Sequence, residues 1–117
     1  MLLDFTKVKN IYLVCGRSDL RKGIDGLARI IQQDYEMDVY EDAIFLFCGT
    51  RADRFKLLYW DGDGFFLGYK RLENGRLKWP RKKEEVRQLT TQQIRWLLEG
   101  LTIDQKHAVQ PGKKGIF

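Results

Sequence analysis

Two runs of strand-forming residues, Arg54 to Trp60 and Phe65 to Leu72, are separated by Asp61-Gly62-Asp63-Gly64. No other feature restricts the fold of this chain more. Asp and Gly tolerate positive φ, so the four residues predict a turn that folds the two runs into an antiparallel hairpin. Pairing Trp60 with Phe65 sets Tyr59 opposite Phe66, Leu57 opposite Gly68, Phe55 opposite Lys70 and Arg54 opposite Arg71. A second turn signal, Asn74-Gly75, predicts a further strand from Arg76 to Trp79, with Glu73 facing Arg76, Leu72 facing Leu77, Arg71 facing Lys78 and Lys70 facing Trp79. Side chains alternate across a strand, so one face carries Phe55, Leu57, Tyr59, Phe66, Leu72, Leu77 and Trp79, with Lys70 its only charge. That face should meet the helices. The other face places Arg54, Arg71 and Lys78 in one row, with Lys56, Tyr69 and Arg76 nearby. Like charges directly opposed destabilise a sheet, so the row predicts an anionic partner.

Ile11 to Cys15 and Ala43 to Cys48 are short apolar runs that read as strands. Between them, Ser18 and Asp19 are candidate caps for a helix in which Ile24, Leu27, Ala28 and Ile31 share a face, ending near Tyr35. Pro80 should end the sheet. Thr90 and Gln93 then form a capping box ahead of Ile94, Leu97, Leu98 and Leu101, with Gly100 as the stop. The elements predict an α+β domain, an antiparallel-dominated sheet of about five strands with two helices packed on one face. Residues 1–101 form this single domain, and residues 102–117, with Pro111-Gly112-Lys113-Lys114-Gly115, are expected to be a flexible C-terminal tail. At 117 residues the chain has room for one core. No apolar run approaches the roughly 20 residues of a membrane span, and the start lacks a secretory pattern, so the expected place is the cytoplasm.

The basicity is regional. Net charge is +5, but residues 51–83 alone carry ten Lys/Arg against four Asp/Glu, and seven of the fifteen aromatics. Cations interleaved with aromatics suit phosphate contact and base stacking; a solvated cationic sheet face is the plainer alternative. Candidate nucleic-acid-binding residues are Arg54, Lys56, Tyr69, Arg71, Arg76 and Lys78 on the sheet, and Arg81, Lys82 and Lys83 after it. Arg21 and Lys22 join them, because cations in a helix's first turn oppose its macrodipole and an anion could offset them. Local pairing of Arg21 with Asp25, under an Asp19 cap, would do the same.

Catalytic chemistry finds little support. Asp53, Asp61, Asp63 and Glu73 could converge on metal ions for phosphodiester cleavage, yet three of them fall at turns or strand ends, where Asp has an ordinary role. Cys15 and Cys48 end apolar runs and read as small buried hydrophobes; with His107 far away, they lack the spacing of a zinc site. No catalytic residue, metal, cofactor or small-molecule substrate is expected.

Three blocks of residues resemble a known family. They are Asp19-Leu20-Arg21-Lys22-Gly23-Ile24-Asp25-Gly26-Leu27-Ala28, then Asp53-Arg54-Phe55-Lys56-Leu57-Leu58-Tyr59-Trp60-Asp61-Gly62-Asp63-Gly64, then Tyr69-Lys70-Arg71-Leu72-Glu73-Asn74-Gly75-Arg76-Leu77-Lys78-Trp79-Pro80. In this order they resemble the TnpB-type accessory protein, the second small reading frame, of the sixty-sixth insertion-sequence family of bacterial transposable elements. The resemblance implies participation in transposition, with cutting and joining done by a separate transposase, and it brings no catalytic residues. The mode of action does not come with the resemblance, and the basic, aromatic-rich stretch leaves two readings: a factor that binds nucleic acid, DNA of the element ends above all, or a module that docks the transposase or another accessory protein. No membrane partner is expected.

Overall fold

The computed structural model describes residues 4–105. After a short 3-10 turn, Phe5–Lys7, come strand β1 (Asn10–Val14), helix α1 (Ile24–Arg29), a π-helical turn (Ile30–Asp34), and strands β2 (Ala43–Phe47), β3 (Arg54–Trp60), β4 (Phe65–Arg71) and β5 (Val86–Leu89). Helix α2 (Thr91–Leu98) follows. The five strands form one sheet in the order β4-β3-β2-β1-β5. β1 and β2 run parallel, and the other three pairings are antiparallel. Among the described residues no helix is long and apolar enough to cross a membrane.

β2 is the centre of the domain. All five of its residues are buried, which its unbroken apolar run, Ala-Ile-Phe-Leu-Phe, requires of a strand covered on both sides. Ile44 and Leu46 pack with Ile94 and Leu97 of α2 and with Leu77, Trp79 and Ile103. Phe45 and Phe47 pack with Leu27, Ala28 and Ile31 of α1 and its π-helical turn. Successive strand residues point to opposite faces, so the two helices cover opposite faces of the sheet, not one as expected. Each buried Leu, Ile or Phe on either side contributes roughly 1.5–3 kcal/mol.

The β3–β4 hairpin has the expected register at every position, from Arg54 opposite Arg71 to Trp60 opposite Phe65. Its turn is closed by the Asp61 carboxylate, which accepts from the backbone N–H groups of Asp63 (3.3 Å) and Gly64 (3.1 Å), while Gly62 takes a φ of 104° that side chains resist. Phe66, expected in the core, is 53% exposed on the edge strand.

Three expected elements differ. Arg76 to Trp79 is not a strand. The Leu77 N–H bonds the Ala52 carbonyl (2.7 Å), the buried Trp79 Nε1 bonds the Val14 carbonyl (2.9 Å), and the Gly16 N–H bonds the Pro80 carbonyl (2.8 Å). The segment is thus an extended crossover from the start of β3 to the end of β1. Its alternation is real, with Leu77 and Trp79 buried and Arg76 and Lys78 exposed, but the alternation serves a crossing, not a ladder. The fifth strand is β5, which pairs antiparallel with β1; its sequence, Val-Arg-Gln-Leu, is too polar to read as a strand, as suits a sheet edge. Finally, α1 begins after Gly23 with no side-chain cap, not at Ser18 or Asp19, so Arg21 and Lys22 stand just before the helix, beside its first turn.

α2 has the anticipated capping box, with reciprocal bonds between Thr90 and Gln93. Packing continues past Leu101, the expected limit of the domain: Ile103 is buried and Asp104 forms a two-bond pair with Arg87 at 2.7 and 2.9 Å. Residues 106–117 of the expected tail, with His107, lie outside the described residues.

Candidate nucleic-acid interface

Parallel neighbours bring the chain segments after their C-terminal ends to the same edge of a sheet, and this is where open sheets with parallel strands commonly hold ligands. Here β1 runs into Cys15-Gly16-Arg17 and β2 into Cys48-Gly49-Thr50-Arg51. The Ser18 N–H bonds the Cys48 carbonyl (2.8 Å). A Cβ on Gly49 would lie 3.2 Å from both the Ser18 carbonyl oxygen and the Leu20 side chain, so glycine permits this close approach of the two loops.

Between these loops and the adjoining part of the β3–β4 hairpin lies a cleft of about 970 Å³. Arg17, Ser18, Asp19, Leu20 and Arg21 form one wall, Gly49, Thr50 and Arg51 another, and Arg54, Lys56, Leu67 and Tyr69 the floor. Five cations therefore surround it, with Asp19 the one carboxylate in its lining. Arg54 and Lys56 share the α1 face of the sheet with Leu58, two and four residues along the strand. Tyr69 is 55% exposed.

The carboxylates present shape the cations and do not cancel them. Asp19 accepts from Arg21 Nε (2.9 Å), Nη2 (3.0 Å) and the Arg21 backbone N–H (3.0 Å). These bonds, the side-chain ones first, hold its pKa down at about 2. Asp53 pairs with Arg54 at 2.9 and 3.3 Å, which lowers the Asp53 pKa and raises that of Arg54. A guanidinium has five N–H donors, so each paired Arg keeps some for a ligand. Lys56 Nζ donates to the Lys22 carbonyl (3.1 Å). Among the described residues, neither Arg17 nor Lys56 has an ion-pair partner.

Of the residues expected from sequence, Arg21, Arg54, Lys56 and Tyr69 meet in this cleft, with Lys22 beside it. Lys78, Arg81, Lys82 and Lys83 line a second cleft of about 430 Å³, together with Cys15, Pro80, Glu85, Arg87 and Thr102 to Asp104. Arg71 and Arg76 line neither. The expected row of Arg54, Arg71 and Lys78 does not form, because Lys78 sits in the crossover. Arg54 and Arg71 do oppose each other, but the chain relieves the repulsion itself: Arg54 takes Asp53, and Arg71 takes Glu73 at 3.0 Å.

Arg17 and Arg51 were not among the expected binding residues. A signal for them existed in the two Cys-Gly endings, each followed closely by Arg, but only the parallel pairing of β1 with β2 makes them neighbours. Arg81 also has a structural role that the sequence did not suggest. Its Nη1 donates to the Gly16 carbonyl (2.9 Å) and its Nη2 approaches the Cys48 sulfur (3.6 Å), so it pins together the ends of β1 and β2. Both thiols are free and buried, and burial raises the pKa of each. Among the described residues no three His, Cys, Asp or Glu side chains gather as a metal site would need.

A family model described as IS66 Orf2-like protein matches residues 9–108. The uncharacterized protein y4jC of Sinorhizobium fredii (strain NBRC 101917 / NGR234) is 34% identical over 83 residues, covering 71% of each chain. The uncharacterized protein y4hO of the same strain is 30% identical over 97 residues, 83% of each. No solved structure matches.

Proposed function

The chain belongs to the family of IS66 Orf2-like proteins, encoded by insertion sequences, and on that premise we propose that it is a non-catalytic accessory protein of transposition that binds the element's DNA through the cleft at the carboxyl ends of β1 and β2. The observation that carries this reading is the convergence of Arg17, Arg21, Arg51, Arg54 and Lys56 around one cavity. Three separate parts of the chain supply these cations, which solvation of a surface does not require. Four of the five are arginines, whose planar fork matches phosphate oxygens two at a time. Among the described residues, Lys56 and Arg17 add charge without a carboxylate to offset it.

Gel shifts with terminal-repeat DNA and with scrambled DNA of equal length test the proposal. Binding that weakens steeply as salt rises is the expected result, because each neutralised phosphate releases counterions. Binding that is absent at low salt rejects it.

A second reading, docking of the transposase, has its own observation. At the opposite end of the hairpin Tyr40, Trp60 and Phe65 form an aromatic group with ring centroids 5.0–5.5 Å apart, and Tyr40 is 53% exposed. Exposed aromatics are typical anchors of protein interfaces. Copurification with the transposase that survives substitution of the cleft arginines but fails for Tyr40→Ala supports this role beside DNA binding.

A further inference from the structure

We propose that the cleft takes unpaired nucleotides, a single-stranded segment or frayed end of DNA, with one base stacked on the Tyr69 ring. This rests on the DNA-binding reading and specifies the form of DNA that the site accepts. The first argument is shape. The cleft, at about 970 Å³, falls within the roughly 300–1,000 Å³ of sites that take small ligands. That is room for a nucleotide, whose base and phosphate are both accessible only where the strand is unpaired.

The second argument is that the elements beside the cleft are poorly suited to reading a duplex groove. Groove readers project a helix or a two-stranded ribbon whose polar side chains face outward. α1 has six residues, and its Leu27 and Ala28 are spent on the core. The β3–β4 ribbon ends in Asp61 and Asp63, which would meet phosphates with like charge. The cations instead line a concavity, as in proteins that track a single strand.

Third, Tyr69 combines exposure with position. It lies on the floor of the cleft with Lys56 directly opposite on β3, and Arg54 and Arg51 nearby in the same lining. A base lying on its ring leaves the flanking phosphates within the arc of Arg17, Arg21 and Arg51. Stacking is indifferent to base identity, since every base has a π-face, so the site tolerates many sequences.

Fluorescence anisotropy of the full chain distinguishes this proposal from the broader one. The probes are a labelled 12-nucleotide deoxyoligonucleotide of mixed sequence and the duplex made from it. The expected result is tighter binding of the single strand, a loss of roughly five- to hundredfold for Tyr69→Ala, and near-wild-type binding for Tyr69→Phe, which keeps the ring. Tyr69 is on an exposed edge strand, and circular dichroism verifies that both variants fold. Duplex binding equal to or tighter than single-strand binding overturns the inference and leaves DNA binding standing. Indifference of single-strand affinity to Tyr69→Ala also overturns it. Failure of both probes to bind at low salt removes the inference and the broader reading together.

Discussion

The two basic clefts hold the same number of cations, five each, yet they are not equivalent. The larger has four arginines and one lysine, a floor that includes Leu67 and Tyr69, and walls made by the loops after two parallel strands. The smaller has two arginines and three lysines, no aromatic, and a segment of chain, Thr102 to Asp104, lying along it. In it Arg87 is held by Asp104, Lys83 by Glu85 at 3.5 Å, and Arg81 bonds inward to Gly16. Charge content alone does not distinguish a ligand site from a solvated surface. The difference lies in which donors remain free, whether a flat apolar platform stands beside them, and whether the chain already fills the space.

The largest contrast should appear on removing charge. Arg17→Ala combined with Arg51→Ala should weaken DNA binding roughly tenfold or more, given the usual strength of charge-assisted hydrogen bonds. Lys82→Ala combined with Lys83→Ala should change it less than about threefold. Equal losses in gel shifts at one salt concentration would erase the distinction between the clefts. The next effect is on salt dependence: on a single strand the first pair should lower the slope of log affinity against log salt by about 1.4, two phosphates at about 0.7 each, and the second pair should leave it unchanged.

A smaller effect separates packing from binding at the strand ends. Cys48→Ser puts a hydroxyl where a buried thiol faces the Arg54 carbonyl at 3.3 Å, and should lower unfolding stability by about 1–3 kcal/mol without altering DNA affinity. Cys15→Ser should do the same behind the smaller cleft. Urea denaturation beside a binding titration checks both, and a folded variant that loses binding would contradict the packing role.

The smallest effect is the pH response of the Asp19–Arg21 pair. Asp19 titrates at about 2 against an ordinary 3.8. A depressed carboxylate pKa contributes stability that is fully present above the ordinary value and is lost as pH falls through the lowered one. Asp19→Asn should therefore be slightly less stable than wild type at pH 5, with the difference shrinking as pH falls through about 2 and gone only at about pH 1, by thermal denaturation. A difference that persists undiminished at about pH 1 would mean that Asp19 acts by something other than its charge.

Local chemistry was legible in the sequence where one turn or one cap decides the structure. The Asp61 to Gly64 turn determines the whole β3–β4 register, and Thr90 with Gln93 marks the start of α2. Parity was legible as well, since Leu77 and Trp79 alternate with Arg76 and Lys78 as expected. What parity cannot convey is whether an extended segment pairs in a ladder or crosses a sheet end, and this accounts for the absent strand and for the unformed row of Arg54, Arg71 and Lys78. The placement of the helices was implicit in β2, whose unbroken apolar run needs cover on two faces, but a single-faced sheet was inferred from the alternating hairpin. The cleft itself depends on a long-range event, the parallel pairing of β1 and β2, which no local signal encodes. Four of its side chains were foreseen as members of a sheet face and a helix start, and the two arginines that complete it were not.

The most direct test of the claim that the larger cleft, and not the smaller, is the DNA site is a chemical-shift titration of the isotope-labelled protein with a short deoxyoligonucleotide. The account predicts that the amides of Arg17 to Arg21, Gly49 to Arg51, Lys56 and Tyr69 move together and saturate at one affinity, while those of Lys78, Lys82, Lys83 and Asp104 stay in place. Shifts concentrated at Lys78 to Lys83 and Thr102 to Asp104, with the Gly49 amide unmoved, would contradict it.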